Sequence, residues 1–397
     1  MSKFEVLVEQ VKNVRDHPNA DRLSLLDING FTCISAKLED GSHRYTDGDP
    51  VAYIPEGAVL PEWLLKELDF WDEENQKGRL NGSAGNRIKA MRLRGILSQG
   101  VIYPCCGITN EETGTHFKKW MRMADGEIHK VGIGWDVADQ LGITKYEPPI
   151  PASMGGEVFS HSYDLIYKFD IENAQKFENV FFPDDIVNIT EKLHGTFTGF
   201  IFTTEKREDF LEVVTEEGTL YATAYSKGLG SKGLCFKANE TNLTKNLYMR
   251  SLKTFLDSRT SEQLANLYGE TENESAFLIL GETFGQGIQD LGYSTPPKFL
   301  AFDTVSDGEV DSYRNFEKVT KSLGVETVPL LFKGRYGDAD LITLRDGKSS
   351  IDGKTLKEGI VIRDDDNADT GFIGRKMLKM VSPEYLTRSA KNATEYS

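Results

Sequence analysis

Ile189-Thr190-Glu191-Lys192-Leu193-His194-Gly195-Thr196 is the stretch on which the reading of this chain turns. Ile186, Val187 and Ile189 are β-favouring, so the sequence predicts a buried strand that carries Lys192 out to a pocket edge. A lysine withdrawn from water and set among other charges gives up its proton more readily and becomes a nucleophile. Gly195 allows a ligand or another stretch of backbone to come close. Taken alone, the same residues also fit an exposed lysine ahead of a turn. The rest of the chain separates the two readings.

At 397 residues the chain is long for one domain, and two are expected. Acidic residues outnumber basic ones 62 to 46, a net charge of −16, which argues against a protein coated in nucleic acid. The basic residues nevertheless cluster. Arg79, Arg87, Lys89, Arg92 and Arg94 fall between Arg79 and Ser98 with no acid among them. Lys227, Lys232, Lys237, Lys245, Arg250 and Lys253 follow between Tyr225 and Lys253 against Glu240 alone, and Arg375, Lys376, Lys379, Arg388 and Lys391 lie near the C-terminus. Each cluster by itself fits a solvated face; where one coincides with a motif, phosphate contact becomes the better reading. No apolar run is long enough to span a membrane and the N-terminus has no signal-peptide core, so a soluble protein, cytoplasmic or otherwise intracellular, is expected. A viral origin is compatible with the same reading. Four cysteines and six histidines show no metal-ligand spacing, and reduced structural thiols are expected.

Residues 1–146 read as short strands with turn punctuation. Phe4, Val6 and Val8 alternate with polar neighbours, Leu23 to Ile28 runs into Asn29-Gly30 as a hairpin signal, and Phe31 to Lys37, Val51 to Ile54, Arg87 to Arg94 and Val101 to Tyr103 continue the pattern. Helical spacing appears only around Pro61 to Leu68. Such spacing predicts a small OB-like barrel, a fold that often grips nucleic acid in a basic groove. The proline- and glycine-rich residues 147–157 read as a linker. Residues 158–397 mix strands and helices: a hairpin across Glu216-Glu217-Gly218, a helix from Leu243 to Leu267 capped by Asn242 and closed at Gly269, and a second from Tyr313 to Leu323 closed by Gly324. Strands are expected at Phe277 to Gly281, Phe299 to Val305, Ile360 to Arg363 and Met377 to Val381. The fold class is therefore α+β, an OB-like barrel followed by antiparallel sheets flanked by helices. Gly228-Leu229-Gly230-Ser231-Lys232-Gly233 matches a dinucleotide fingerprint by letter only, because no βαβ pattern surrounds it; a flexible basic loop is the better reading.

The Lys-x-His-Gly-Thr string of Lys192 to Thr196 resembles the nucleotidyl-lysine motif of ATP-dependent RNA ligases, in the covalent nucleotidyltransferase superfamily. Further segments follow in that superfamily's order: Tyr225-Ser226-Lys227-Gly228, Leu280-Gly281-Glu282-Thr283-Phe284-Gly285, Phe299-Leu300-Ala301-Phe302-Asp303, Glu358-Gly359-Ile360-Val361-Ile362-Arg363 and Met377-Leu378-Lys379-Met380-Val381-Ser382. In the first domain, His17 to Leu23 and Arg92 to Gly100 look like segments of tRNA-binding OB folds. An OB domain ahead of the catalytic domain, with His194 where DNA ligases and capping enzymes usually carry Asp, is similar to one RNA-ligase branch.

This resemblance implies the chemistry. Lys192 would attack the α-phosphate of ATP, pass AMP to a 5′-phosphate, and a 3′-hydroxyl would then displace it to seal the strand. Lys379 would stabilise phosphate charge, aided by Lys376 or Arg375, because the usual Lys-x-Lys has Met377 at its first position. Glu358, with Glu282, would hold Mg²⁺ (or Mn²⁺), and Glu282 would also accept a hydrogen bond from ribose. Phe302 would stack on adenine, Glu191 would offer its backbone carbonyl to the adenine amino group, and Gly195 would line the nucleotide site. Lys227 stands where the family usually has arginine, and Phe197 where a related branch has asparagine. In Phe169-Asp170-Ile171-Glu172-Asn173, Asn173 is a candidate for nucleotide or RNA-end contact. Arg87, Lys89, Arg92 and Arg94 would carry charge along a nicked duplex or broken RNA end. A monomer without membrane contact is expected. The competing readings are a DNA ligase or another covalent nucleotidyltransferase, and a non-enzymatic RNA- or tRNA-binding protein.

Overall fold

The computed structural model describes residues 4–109, 116–146, 158–160, 165–167, 170–177, 179–227, 233–272, 276–306, 308–366, 370–371 and 373–388. The chain divides into two compact units: residues 2–146 with 175–177, and residues 147–174 with 178–397 and Met1. The linker expected at 147–157 and the basic loop at 228–232 lie outside the described residues.

The N-terminal unit is built of short antiparallel sheets. Leu7–Gln10 and Val101–Pro104 flank Pro50–Ile54, while Leu23–Ile28 pairs with both Lys12–Asp16 and Phe31–Ala36. Ile28 faces Phe31 across a two-residue turn in which Asn29 (φ 50°) and Gly30 (φ 80°) are both left-handed. That backbone twist suits a hairpin and explains the Asn-Gly pair. Val6, Val8, Ala52, Ile54, Leu64 and Tyr103 share one core. Arg87 to Arg94 is not one strand. Arg87 makes only isolated bridges, and Met91–Leu93 folds back on Ile96–Ser98 because Arg94 (φ 49°) and Gly95 (φ 92°) turn the chain between them. His17 is buried against this hairpin: Nε2 lies 3.0 Å from the Leu93 carbonyl, Nδ1 accepts from the Asn19 N–H, and the Asn19 amide donates to the Arg94 carbonyl.

Two sheets form the C-terminal unit. The larger runs in the order Val158–Ser160, Leu234–Phe236, Thr219–Ser226, Thr196–Thr203, Phe277–Phe284, Lys298–Ser306, Glu309–Val310, with Leu211–Val214 hairpinned onto Thr219–Ser226. The smaller runs Glu172–Asn173, Met377–Val381, Gly359–Asp364, Ile186–Lys192, Leu330–Arg335. All pairings are antiparallel except Glu172–Asn173 with Met377–Val381. Ile186–Lys192 ends the central run of the small sheet and Thr196–Thr203 begins in the large one. The turn Leu193-His194-Gly195 is therefore the crossover between sheets, and it sets Lys192 at their junction.

The single helix expected from Leu243 to Leu267 is instead three: Glu240–Lys245, Leu247–Asp257 and Ser261–Thr271. Local capping breaks the run. The Asn246 side chain accepts from the N–H groups of Tyr248 and Met249, and Thr260 forms a capping box with Gln263, so each polar residue restarts a helix. Gly269 lies inside the third helix rather than closing it. Leu252 and Phe255 pack on Phe200 and Phe202 of the large sheet, in a core shared with Phe316 and Val319 of the Tyr313–Ser322 helix.

Candidate active site

Lys192 extends into a cleft of about 960 Å³, its solvent-open mouth included, within the C-terminal unit. Asp170, Glu191, His194, Gly195, Phe197, Lys227, Glu282, Phe302, Glu358, Val361, Arg363, Met377, Lys379 and Tyr385 are among the residues around it. Strand alternation explains the convergence. Lys192 pairs with Gly359 in the small sheet, which sets Glu358 beside it, and Val361 pairs with Lys379 on the next strand. Lys192 Nζ lies 2.6 Å from Glu358 Oε1, with the two side chains 18% and 5% exposed.

Glu282 comes from the large sheet, opposite Phe197. Protein atoms crowd its carboxyl while part of the side chain opens to the cleft. Burial, reinforced by Glu358, outweighs the opposing Lys192, Gly195 N–H and Lys227, and pushes its pKa up to about 8. Lys379 is displaced the other way. Burial, with Lys192 and Lys227 nearby, outweighs Asp170 and Glu358 and brings its ammonium down to about 8. Two neighbouring groups with pKa values moved so far toward neutrality mark a functional cleft.

Gly195 is required by packing. A Cβ there would stand 2.5 Å from the Thr283 carbonyl oxygen and 2.9 Å from both Glu282 Cγ and Phe284 Cβ. Phe302 borders the cleft with Phe197, ring centroids 6.1 Å apart. Lys227 reaches within 3.9 Å of Asp170, which also lines the cleft. The Glu191 carboxylate accepts from the Ser350 N–H, 2.8 Å away.

Four expected residues are placed differently. Lys376 Nζ binds Asp185 at 2.6 Å and lies over the rings of Phe181 and Phe182. It is not a partner of Lys379, because alternation turns 376 and 378 away from the face that carries Met377 and Lys379. Arg375 instead binds Asp303 at 2.8 Å, and Arg363 binds the same fully buried aspartate at 3.2 Å. Asn173 pairs with Lys379 in the parallel ladder but is not among the cleft-lining residues, where Asp170 and Ile171 stand instead. In the N-terminal unit, Arg87 is buried with its guanidinium 3.7 Å over the Tyr146 ring, so it serves packing and not an open basic face. Arg92 and Arg94 are exposed and Lys89 is half-buried.

The partners that hold His194 had no assigned role in the sequence reading. His194 is buried, with Nε2 2.8 Å from Asp290 Oδ1, Nδ1 2.7 Å from the Tyr385 hydroxyl, and Nδ1 3.9 Å from Glu358 Oε2. Arg388 clamps Asp290 through Nε (2.8 Å) and Nη2 (3.1 Å). Burial of Asp290 opposes its ionisation, but the hydrogen bonds from His194 and Arg388 hold its carboxyl well below the usual range. Gln289, left-handed at φ 59°, donates to the Gly195 carbonyl at 2.6 Å.

A crossover lysine set among carboxylates and a second, half-buried lysine, carried on two sheets, line one cleft. Comparison with known proteins gives the family. Residues 185–381 match the family model for RNA ligase, and residues 6–105 match a model for an OB-fold domain. The chain belongs to the RNA ligase family. Naegleria gruberi RNA ligase solved with PPi is 21% identical, with 97% of this chain and 98% of that chain covered and a TM-score of 0.66. A mutant of the same ligase with ATP and Mn gives 20% identity, the same coverage and a TM-score of 0.67. At such identity the likeness establishes the fold, an N-terminal OB domain followed by a mixed α+β domain. A curated relative, the phenylalanine–tRNA ligase β subunit of Legionella pneumophila (strain Lens), is 28% identical over 138 residues. That match takes in 35% of this chain and 14% of the relative's length.

Proposed function

We propose that this chain is an ATP-dependent RNA ligase that joins a 3′-hydroxyl to a 5′-phosphate through a lysyl-AMP on Lys192 and an adenylylated RNA end. The convergence of Lys192, Glu358, Glu282 and Lys379 on one cleft carries the reading. Family membership supports ligation, and Naegleria structures described with ATP, AMP, Mn and PPi support an adenine nucleotide and a divalent cation.

Lys192 Nζ must shed a proton before it attacks the α-phosphorus, and Glu358 Oε1 at 2.6 Å is the near acceptor. Attack forms an Nζ–P bond and expels pyrophosphate. The 5′-phosphate of an RNA end then takes AMP from Lys192, and a 3′-hydroxyl displaces AMP as the phosphodiester forms. Lys379 and Lys227 place positive charge beside the transferring phosphate. Phe302 offers a ring face to adenine, Glu191 its carbonyl to the amino group, and Glu282 an acceptor to ribose.

The donor set fits a hard divalent cation. Glu282 and Glu358 supply oxygens, and among the described residues no group of three His, Cys, Asp or Glu is placed to hold a metal. One or two carboxylates completed by waters and phosphate oxygens is the arrangement Mg²⁺ favours, and Mn²⁺ accepts similar donors. Such an ion neutralises phosphate charge and orients the triphosphate. Lys89, Arg92 and Arg94 of the N-terminal unit are proposed to contact the RNA backbone, and the ligase to act as a monomer.

Two nicked duplexes that differ only in the last sugars of the 3′-hydroxyl strand test the substrate. Faster sealing with ribonucleotides is expected, since an A-form end displays 2′-hydroxyls in a wide minor groove. Equal sealing rates would defeat RNA specificity and favour a DNA ligase or a less selective nucleotidyltransferase.

A further inference from the structure

The segment after the last cleft strand returns at three points to the nucleophile motif and the residues that surround it. The Ser382 N–H donates to the Glu358 carbonyl at 2.8 Å. Tyr385, on the short Pro383–Leu386 helix, bonds His194 Nδ1 and packs edge-on to the imidazole, centroids 5.3 Å apart. Arg388 stacks 3.7 Å over the Tyr385 ring and grips both oxygens of Asp290, which holds His194 Nε2. Asp290, an ionised carboxylate, can only accept. The imidazole therefore presents its Nε2–H to Asp290, while Nδ1 bonds the Tyr385 hydroxyl. Both ring nitrogens are thus engaged, and the ring cannot turn without breaking a buried hydrogen bond. From the other side, Gln289 fixes the Gly195 carbonyl and the Tyr293 hydroxyl accepts from the His194 N–H.

We propose that Ser382–Arg388 is a clasp and that Tyr385, Arg388 and Asp290 are positioning residues for ligation, acting through His194 to set Lys192 against Glu358. The inference rests on the proposed function, since it concerns the same lysine. The geometry explains the demand. His194 lies two residues from Lys192 and 3.9 Å from Glu358 Oε2, so a rotated imidazole would move the turn that aims Nζ and crowd the carboxylate beside it. Small misplacements of a nucleophile are costly in rate, and outer partners that orient a functional histidine typically matter by roughly 10- to 100-fold.

The test uses the full chain with ATP and Mg²⁺, reading lysyl-AMP formation in a single turnover against ATP concentration, beside the melting temperature. Tyr385→Phe removes only a hydroxyl, and Asp290→Asn and Arg388→Gln loosen the other side. Each should slow adenylylation at saturating ATP by roughly 10- to 100-fold while half-saturating ATP moves less than the rate. The Asp290→Asn/Arg388→Gln pair should lose little more than the worse single variant, since both act through one imidazole. A merely structural role would lower the melting temperature and leave the rate of the folded protein unchanged. That outcome, or fully additive losses, would overturn the clasp. If the parent protein itself forms no lysyl-AMP, the proposed function fails. If the parent labels normally and Tyr385→Phe matches it, the clasp alone fails.

Discussion

Lys192 Nζ and Glu358 Oε1 stand 2.6 Å apart at the ends of neighbouring antiparallel strands, where the Lys192–Gly359 register fixes them face to face. Strand pairing brings the two side chains to neighbouring positions at the cleft. Their contact gives Glu358 two tasks in the proposed reaction, accepting the lysine's proton and helping to hold a divalent cation. Glu358→Gln keeps the shape and removes the charge. Adenylylation should fall by roughly 100-fold or more, the scale of a lost proton acceptor, with ATP binding reduced less. Rates across a magnesium titration, set beside equilibrium nucleotide binding, check this; parent-like rates throughout would remove Glu358 from the chemistry.

Glu282 and Lys379 predict opposite pH effects on stability. Glu282 has a folded pKa of about 8, above its ordinary 4.5, so the folded state binds the extra proton between those values. Its contribution is full below pH 4.5 and is lost as pH rises toward and through 8. Lys379 has a folded pKa of about 8, below its ordinary 10.5, so the unfolded state binds the extra proton there. Its contribution is full above 10.5 and is lost as pH falls through 8. In nucleotide-free protein, Glu282→Gln should flatten the decline from pH 4.5 to 8, and Lys379→Met the rise from 8 to 10.5. Melting temperatures measured across both windows decide it; variants with the parent's slopes would contradict the burial of these two groups.

Gly195→Ala should destabilise the C-terminal unit by roughly 1–3 kcal/mol, the range for forcing a methyl into a packed site. The nearest obstacle is the Thr283 carbonyl, which cannot rotate away as a side chain end would. Urea unfolding of the parent and variant measures this directly. A variant as stable as the parent would show that the crossover can shift to admit the methyl.

Much of this was legible because strands repeat every two residues. Glu282, Phe302, Glu358 and Lys379 each lie on or beside a short β-favouring run; alternation orients them within their own sheets, and the crossover at Leu193 to Gly195 brings the two sheets together. The same rule excludes Lys376, which the family resemblance had offered beside Arg375: Met377 occupies the inward position, and Lys376 turns to Asp185. Arg87 misled for a related reason, since a basic cluster does not announce which member is buried beneath Tyr146. Asp290, Tyr385 and Arg388 were illegible. Asp290 and Tyr385 meet His194 across 96 and 191 residues of chain, and Arg388 meets Asp290 across 98, by contacts that no local periodicity encodes. The helices between Glu240 and Thr271 divide at Asn246 and Thr260, polar residues whose capping role becomes visible only once the chain has folded.

Lysyl-AMP formation at one residue tests the central claim most directly. The parent protein, incubated with ATP labelled in the α-phosphate and Mg²⁺, should acquire acid-stable label that peptide mass spectrometry assigns to Lys192. Lys192→Ala should acquire none while keeping the parent's melting profile, and Lys192→Arg should also fail, because a guanidinium stays protonated. AMP found on the Lys192→Ala protein, or on another lysine of the parent, would contradict the account.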